Sequence, residues 1–81
     1  MFLEIITPDK KIFSGEVNSV TVPGSAGQFQ ILKNHAPIIS SLAKGKVKVK
    51  SAAGQQVFEV NGGVVEVLKN KIIVLAESAH D

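Results

Sequence analysis

The sequence contains no cysteine, no tryptophan, no tyrosine and no arginine. Without cysteine there is no disulfide framework, no thiol nucleophile and no zinc–thiolate site, which fits a reducing compartment. All nine basic residues are lysines. The forked guanidinium that recognises phosphate, carboxylate and guanine is therefore missing, which counts against a dedicated nucleotide or nucleic-acid reader. The only aromatics are four phenylalanines, and none lies beside the densest run of lysines, where a single-strand binder needs stacking side chains. No apolar run approaches the ~20 residues of a membrane span. The N-terminal MFLEIITPDKK has Glu4 inside its apolar stretch and no basic residue ahead of it, unlike a signal peptide. A cytoplasmic or matrix-side protein is expected.

What remains is an 81-residue chain, 44% hydrophobic and 20% charged, with net charge +2. That is one domain with a modest core. Short extended segments follow one another at Phe2–Thr7, Lys11–Phe13, Val17–Val22, Phe29–Leu32, Ala36–Leu42, Lys46–Lys50, Val57–Val60, Val64–Leu68 and Lys71–Ala76. Pro8-Asp9, Pro23-Gly24, Ala53-Gly54, Asn61-Gly62 and Lys69-Asn70 punctuate them. Strands spaced this closely predict an all-β sandwich or barrel.

In VFEV-NG-GVVEV, Asn61-Gly62 predicts a type I′ hairpin, because both central residues of that turn take positive φ. Val60 then faces Gly63, Phe58 faces Val65 and Val57 faces Glu66. Phe58, Val60, Val65 and Val67 share one face; Val57, Glu59, Val64, Glu66 and Leu68 share the other. A second tight turn at Lys69-Asn70 adds Ile73 and Leu75 to that second face. This part of the sheet is then apolar on both sides, and the outer side needs a cover, from a later part of the protein or from a partner. A register shift of one residue would exchange the two faces.

Candidate chemistry is sparse. His35 has no carboxylate nearby in sequence, and Ser40 and Ser41 lie beyond Pro37 in an extended segment, so a packed or interface role outweighs general-base work. His80 sits next to the C-terminus and supplies no obvious metal partner. The loop Gly24–Gly27 is glycine-rich but leads into a strand-like QFQIL, not the helix a phosphate cradle requires. In KGKVKVK, Lys44, Lys46, Lys48 and Lys50 alternate with apolar residues. They read as the solvated face of an edge strand, or as an electrostatic patch for an acidic partner. The carboxylates are scattered, and no enzyme site, metal site or cofactor site is expected.

The segments LEIITPDKKIFSGEV, VTVPGSAGQFQIL, NHAPI and FEVNGGVVEVLKNKIIVLAESA, in this order and spacing, resemble the epsilon subunit of rotary ATP synthases, in its N-terminal β-sandwich domain. The resemblance covers about 75 residues. It implies an all-β, flattened two-sheet sandwich of about 8–10 mostly antiparallel strands over residues 1–81. It implies a non-catalytic rotor subunit of a proton-translocating ATP synthase, on the cytoplasmic face of the bacterial inner membrane, without cofactor. The implied partners are the gamma subunit and the polar loops of the c-ring, with transient contact to alpha and beta. By the resemblance, the c-ring contact maps to Gly27, Gln28, Phe29, Gln30 and Ile31, with Phe29 and Ile31 as anchors. The gamma surface includes His35, Ala36 and Pro37. Relatives often carry an acid where this chain has Gln28, so a polar, uncharged contact is implied. Relatives usually continue after VLAESA into a helical hairpin; the sequence given stops at Asp81, and that arm's inhibitory and nucleotide-binding roles do not carry over.

A carrier domain of the biotinyl or lipoyl type is the alternative, with Lys69-Asn70-Lys71 as the modified tip. Intact-mass measurement of protein isolated from cells separates the two: the rotor reading predicts the unmodified mass, whereas a biotinyl or lipoyl adduct on the tip would establish the carrier.

Overall fold

The computed structural model describes Met1–Asp81. Eight strands follow in chain order: β1 Phe2–Ile6, β2 Lys11–Glu16, β3 Ser19–Gly24, β4 Gly27–Leu32, β5 Ile38–Ser51, β6 Gly54–Leu68, β7 Lys71–Ala76 and β8 Ala79–His80. There is no helix. Three hairpins close over two residues each. Gly24 pairs with Gly27 across Ser25-Ala26, Ser51 with Gly54 across Ala52-Ala53, and Leu68 with Lys71 across Lys69-Asn70. Lys69 and Asn70 have φ of 50° and 62°, as a type I′ turn demands.

The long hairpin β5–β6 organises everything else. Its register holds from Ile38↔Val67 to Ser51↔Gly54, skipping only Ala43 and Gly62. Its two ends belong to different layers. The end containing Ile38–Leu42 and Gly63–Leu68 continues through β7 and β1 to β2. The end containing Gly45–Ser51 and Gly54–Val60 is flanked by β3 and β4 on one side and β8 on the other. Each layer thus has five strand segments, and β5 and β6 serve both. All pairings are antiparallel except β1 with β7. The molecule measures 26 × 26 × 18 Å, a flattened sandwich.

Passing between layers, the ribbon exchanges its buried side. On β6, Phe58 and Val60 are buried in the first half, and Val65 and Val67 in the second. On β5, Leu42 is buried before the crossing, and Val47 and Val49 after it. Even and odd positions swap in both strands at the level of Ala43 and Gly62. The Asn61-Gly62 hairpin expected from sequence is therefore not formed, and β6 runs through it. Asn61 keeps a negative φ, whereas Gly62 and Gly63 take 86° and 141°. Tertiary bonds hold the crossing in place: Asn61 N–H donates to the Ser78 carbonyl at 3.2 Å, and Glu77 N–H to the Gly62 carbonyl at 3.3 Å. The predicted face assignment survives, because a face switch and a reversal both change the parity of the inward residues.

The core unites sixteen buried apolar residues, with Leu3, Ile5, Ile31, Ile72, Val20, Val22, Val47, Val65 and Val74 fully enclosed. Phe13 of β2 meets Phe58 of β6 edge-to-face, ring centroids 5.7 Å apart, and so joins one layer to the other. At Gly63 a Cβ would strike the Leu75 carbonyl oxygen, and the residue also needs positive φ. Gly63→Ala therefore carries both a steric and a conformational penalty, and is expected to cost about 2–3 kcal/mol in urea unfolding; an unchanged midpoint would contradict this account of the crossing.

Candidate functional site

The switch in parity leaves one layer with an apolar outer surface. Across the β5-β6-β7-β1 layer, adjacent strands align outward residues in rows. One row runs Ile39, Glu66, Ile73, Glu4; the next runs Ser41, Val64, Leu75, Ile6; a third joins Leu68, Lys71 and Phe2. Ile39 is 74% exposed, Leu75 51%, Leu68 49% and Val64 39%. Ile6 and Ile73 are half-buried between them. Scattered surface apolar residues are ordinary, but a contiguous group on a flat sheet marks an interaction surface. This is the two-sided apolar sheet expected from the sequence. Ile39 extends it, a residue the sequence reading had not singled out although it directly precedes Ser40 in the same strand.

Charges are interspersed in these rows: Glu66 and Glu4 in the first and Lys71 in the third. Glu4 Oε2 lies 2.8 Å from Lys11 Nζ, and its other oxygen 3.8 Å from Lys71 Nζ. The hydrogen bond from Lys11 holds the Glu4 carboxyl below the usual carboxylate range, partly offset by burial, with the charges of Lys11 and Lys71 adding to the lowering.

The loop Asn34–Pro37 forms one border of this surface. A shallow groove of about 400 Å³ runs between Pro37, Ile38, Ile39, Glu66, Val67 and Leu68. The loop is tied to the Lys69-Asn70 turn by a reciprocal amide pair. Asn34 N–H donates to Asn70 Oδ1 at 2.7 Å, and Asn70 Nδ2 donates to Asn34 Oδ1 at 3.0 Å. Asn34 has φ 65°, a conformation asparagine tolerates better than most residues. His35 is half-buried; its N–H donates to the Leu32 carbonyl, and its Nδ1 donates to the Ala36 carbonyl at 2.7 Å. That ring bond selects one tautomer and orients Nε2. No carboxylate pairs with it.

At the far edge of the other layer, β4 presents Gly27, Gln28 and Gln30 to solvent. Phe29 is half-buried, its ring lying over Gly24. Ile31, expected from the resemblance as an anchor of the c-ring contact, is fully buried in the core and shapes β4 from beneath. Sequence alternation alone places Ile31 inward, opposite Gln28 and Gln30. The lysine row needs a correction. The segment carrying Lys46, Lys48 and Lys50 is not an edge strand, because β5 there lies between β6 and β3.

These observations define a small, flattened β-sandwich domain with apolar side chains exposed on the outer face of one layer. Residues 1–81 match the model of the ATP synthase delta/epsilon chain β-sandwich domain, and the chain belongs to that family. It is 49% identical over 76 residues to the ATP synthase epsilon chain of Chlorobaculum tepidum, covering 93% of this chain and 86% of that one. It is 40% identical to the epsilon chain of Caulobacter vibrioides (98% and 92% covered) and 46% identical to that of Desulforapulum autotrophicum (99% and 60%). Among solved structures, a chain of the Euglena gracilis mitochondrial ATP synthase, determined with OSCP, F1 and c-ring, superposes with TM-score 0.89 at 22% identity over 96% of this chain and 51% of that one. A chain of the Tetrahymena thermophila mitochondrial ATP synthase central stalk and c-ring gives 0.86 at 18% identity, covering 100% and 66%. These two confirm the fold. The family assignment displaces the carrier reading: Lys69 sits on a tight turn whose other residue, Asn70, is engaged in bracing the neighbouring loop.

The lowered pKa of Glu4 has a consequence for acid stability. Because the folded value lies below the unfolded one, its contribution is present above the unfolded value and is lost as pH falls through the folded value. Glu4→Gln should flatten the fall in urea midpoint across the acidic range, below about pH 4.3, relative to the parent chain; parallel profiles would show that the Lys11 contact has no energetic weight.

Proposed function

We propose that this chain is a non-catalytic central-stalk subunit of a proton-translocating ATP synthase, joining gamma to the c-ring. The observation that carries the reading is the contiguous apolar outer face of the β5-β6-β7-β1 layer, bordered by the braced Asn34–Pro37 loop. Gamma is assigned to that face, with Ile39, Leu68 and Leu75 as anchors beside His35, Ala36 and Pro37. Burying such anchors supplies the binding energy, and a few of them dominate it. The c-ring loops are assigned to the Gly27–Ile31 strand, where Gly27, Gln28 and Gln30 offer polar contacts and Phe29 and Ile31 support them from within. The two surfaces lie on different layers, so one rigid body can hold both partners at once. The subunit itself needs no cofactor and turns over no substrate. It stays peripheral, on the cytoplasmic face of the bacterial inner membrane, with passing contact to alpha and beta. The family membership and the epsilon-chain relatives support this assignment.

The test is titration of the chain into its cognate purified α3β3γ complex, followed by size-exclusion chromatography. One copy should co-elute per gamma. Ile39→Asp should weaken binding by about 2 kcal/mol, roughly thirtyfold, while thermal stability shifts by no more than about 0.5 kcal/mol because the residue is exposed. Failure of the parent chain to co-elute, or unaltered binding by the variant, would contradict the assignment.

A further inference from the structure

The face of the molecule opposite the apolar one is basic. Lys46, Lys48 and Lys50 project from the middle of the β8-β6-β5-β3-β4 layer, all exposed, with Lys44 at the crossing. Alternate residues stand about 7 Å apart along a strand, so the row forms a straight line of charge. None of the four makes an ion pair. The cross-strand neighbours of Lys48 and Lys50 are neutral: Thr21 and Val57 flank Lys48, and Gln55 and Ser19 flank Lys50. Gln30 lies beyond Thr21. The one carboxylate among them, Glu59 opposite Lys46, faces His80 at 3.6 Å. Glu4 and Glu66 lie on the other face together with Lys11 and Lys71, which offset them, so the unbalanced positive charge is concentrated on the lysine layer.

We propose that this lysine face adsorbs to the anionic phosphate headgroups of a membrane surface. Charge complementarity fixes the sign of the partner, and the form of the face selects its kind. Lys48, Lys50, Thr21 and Gln30 line no recess, and the small hollow of about 170 Å³ beside Lys44 and Lys46 has Val60 as its one apolar lining residue, so the face lacks the pocketed apolar anchors that dominate protein interfaces. The face bears no arginine and no stacking aromatic, so it is poorly equipped for nucleic acid. A lysine row that is flat at Lys48 and Lys50 and only shallowly indented beside Lys46 suits a broad, laterally mobile anionic surface, to which each lysine contributes independently. The face also continues through Thr21 into Gln28 and Gln30 of β4, the strand assigned to the c-ring loops. The choice of membrane over another acidic partner rests in part on that rotor assignment.

The isolated chain should co-sediment with vesicles of phosphatidylglycerol in phosphatidylcholine at near-physiological salt, and not with phosphatidylcholine alone. Each lysine removed should weaken partitioning about fivefold. The triple change Lys46→Gln, Lys48→Gln and Lys50→Gln should therefore lower it roughly a hundredfold. The control Lys10→Gln, Lys33→Gln and Lys69→Gln removes equal charge from exposed loops and should retain most of the binding. Equal losses in both triples would reduce the effect to net charge and overturn the proposal, as would absence of binding by the parent chain. Tighter binding to soluble poly-glutamate than to the vesicles would overturn it in favour of an acidic protein partner. No rotor component is present, so these outcomes stand apart from co-elution with gamma.

Discussion

The structure depends on a single two-stranded ribbon that turns over. Strands β5 and β6 stay in register along their length, yet both exchange their buried side where Gly62 and Gly63 adopt positive φ. Only residues without a Cβ enter that conformation at little cost, and at Gly63 a side chain would also meet the backbone of β7. Two layers are built from one hairpin because of this crossing. The other strands take their places from it: β7 and β1 extend one end, and β3 and β8 flank the other. Gly45 accommodates the same crossing on β5, since a Cβ there would press on the Pro23 ring at 2.7 Å.

The crossing also determines what each outer surface is made of. Before it, the outward residues of the ribbon are Ile39, Ser41, Val64, Glu66 and Leu68; after it, they are Lys46, Lys48, Lys50, Val57 and Glu59. One fold thus presents an apolar plate on one side and a cationic plate on the other. An apolar plate left in water is unfavourable at roughly 25 cal/mol per Å² of apolar surface, a cost that the proposed association with gamma would remove. The cationic plate carries no such drive, and its interactions weaken with salt.

Much of this arrangement was legible in the residues. The all-β class, the Lys69-Asn70 turn and the grouping of Phe58, Val60, Val65 and Val67 on the inner face all follow from alternation and turn chemistry. The Asn61-Gly62 hairpin does not occur, because local turn propensity competes with bonds from Glu77 and Ser78 that only the folded chain provides. Alternation also suggests an edge at the lysine segment, because it reports which side of a strand is wet, not how many neighbours the strand has. The Asn34–Asn70 amide pair joins residues thirty-six positions apart, and no local pattern announces it. Ile31 was read as an anchor through family resemblance, although its own alternation with Gln28 and Gln30 already placed it inward.

Because the sequence lacks cysteine, a single introduced thiol reports one position without interference. The most direct test of the account compares thiol-labelling rates at Ile39→Cys and Lys48→Cys, each measured free and bound to α3β3γ. If the apolar plate is the gamma surface, labelling at position 39 slows strongly on binding and labelling at position 48 stays unchanged. Protection at 48 with free labelling at 39 would show that the two faces have been assigned the wrong way round.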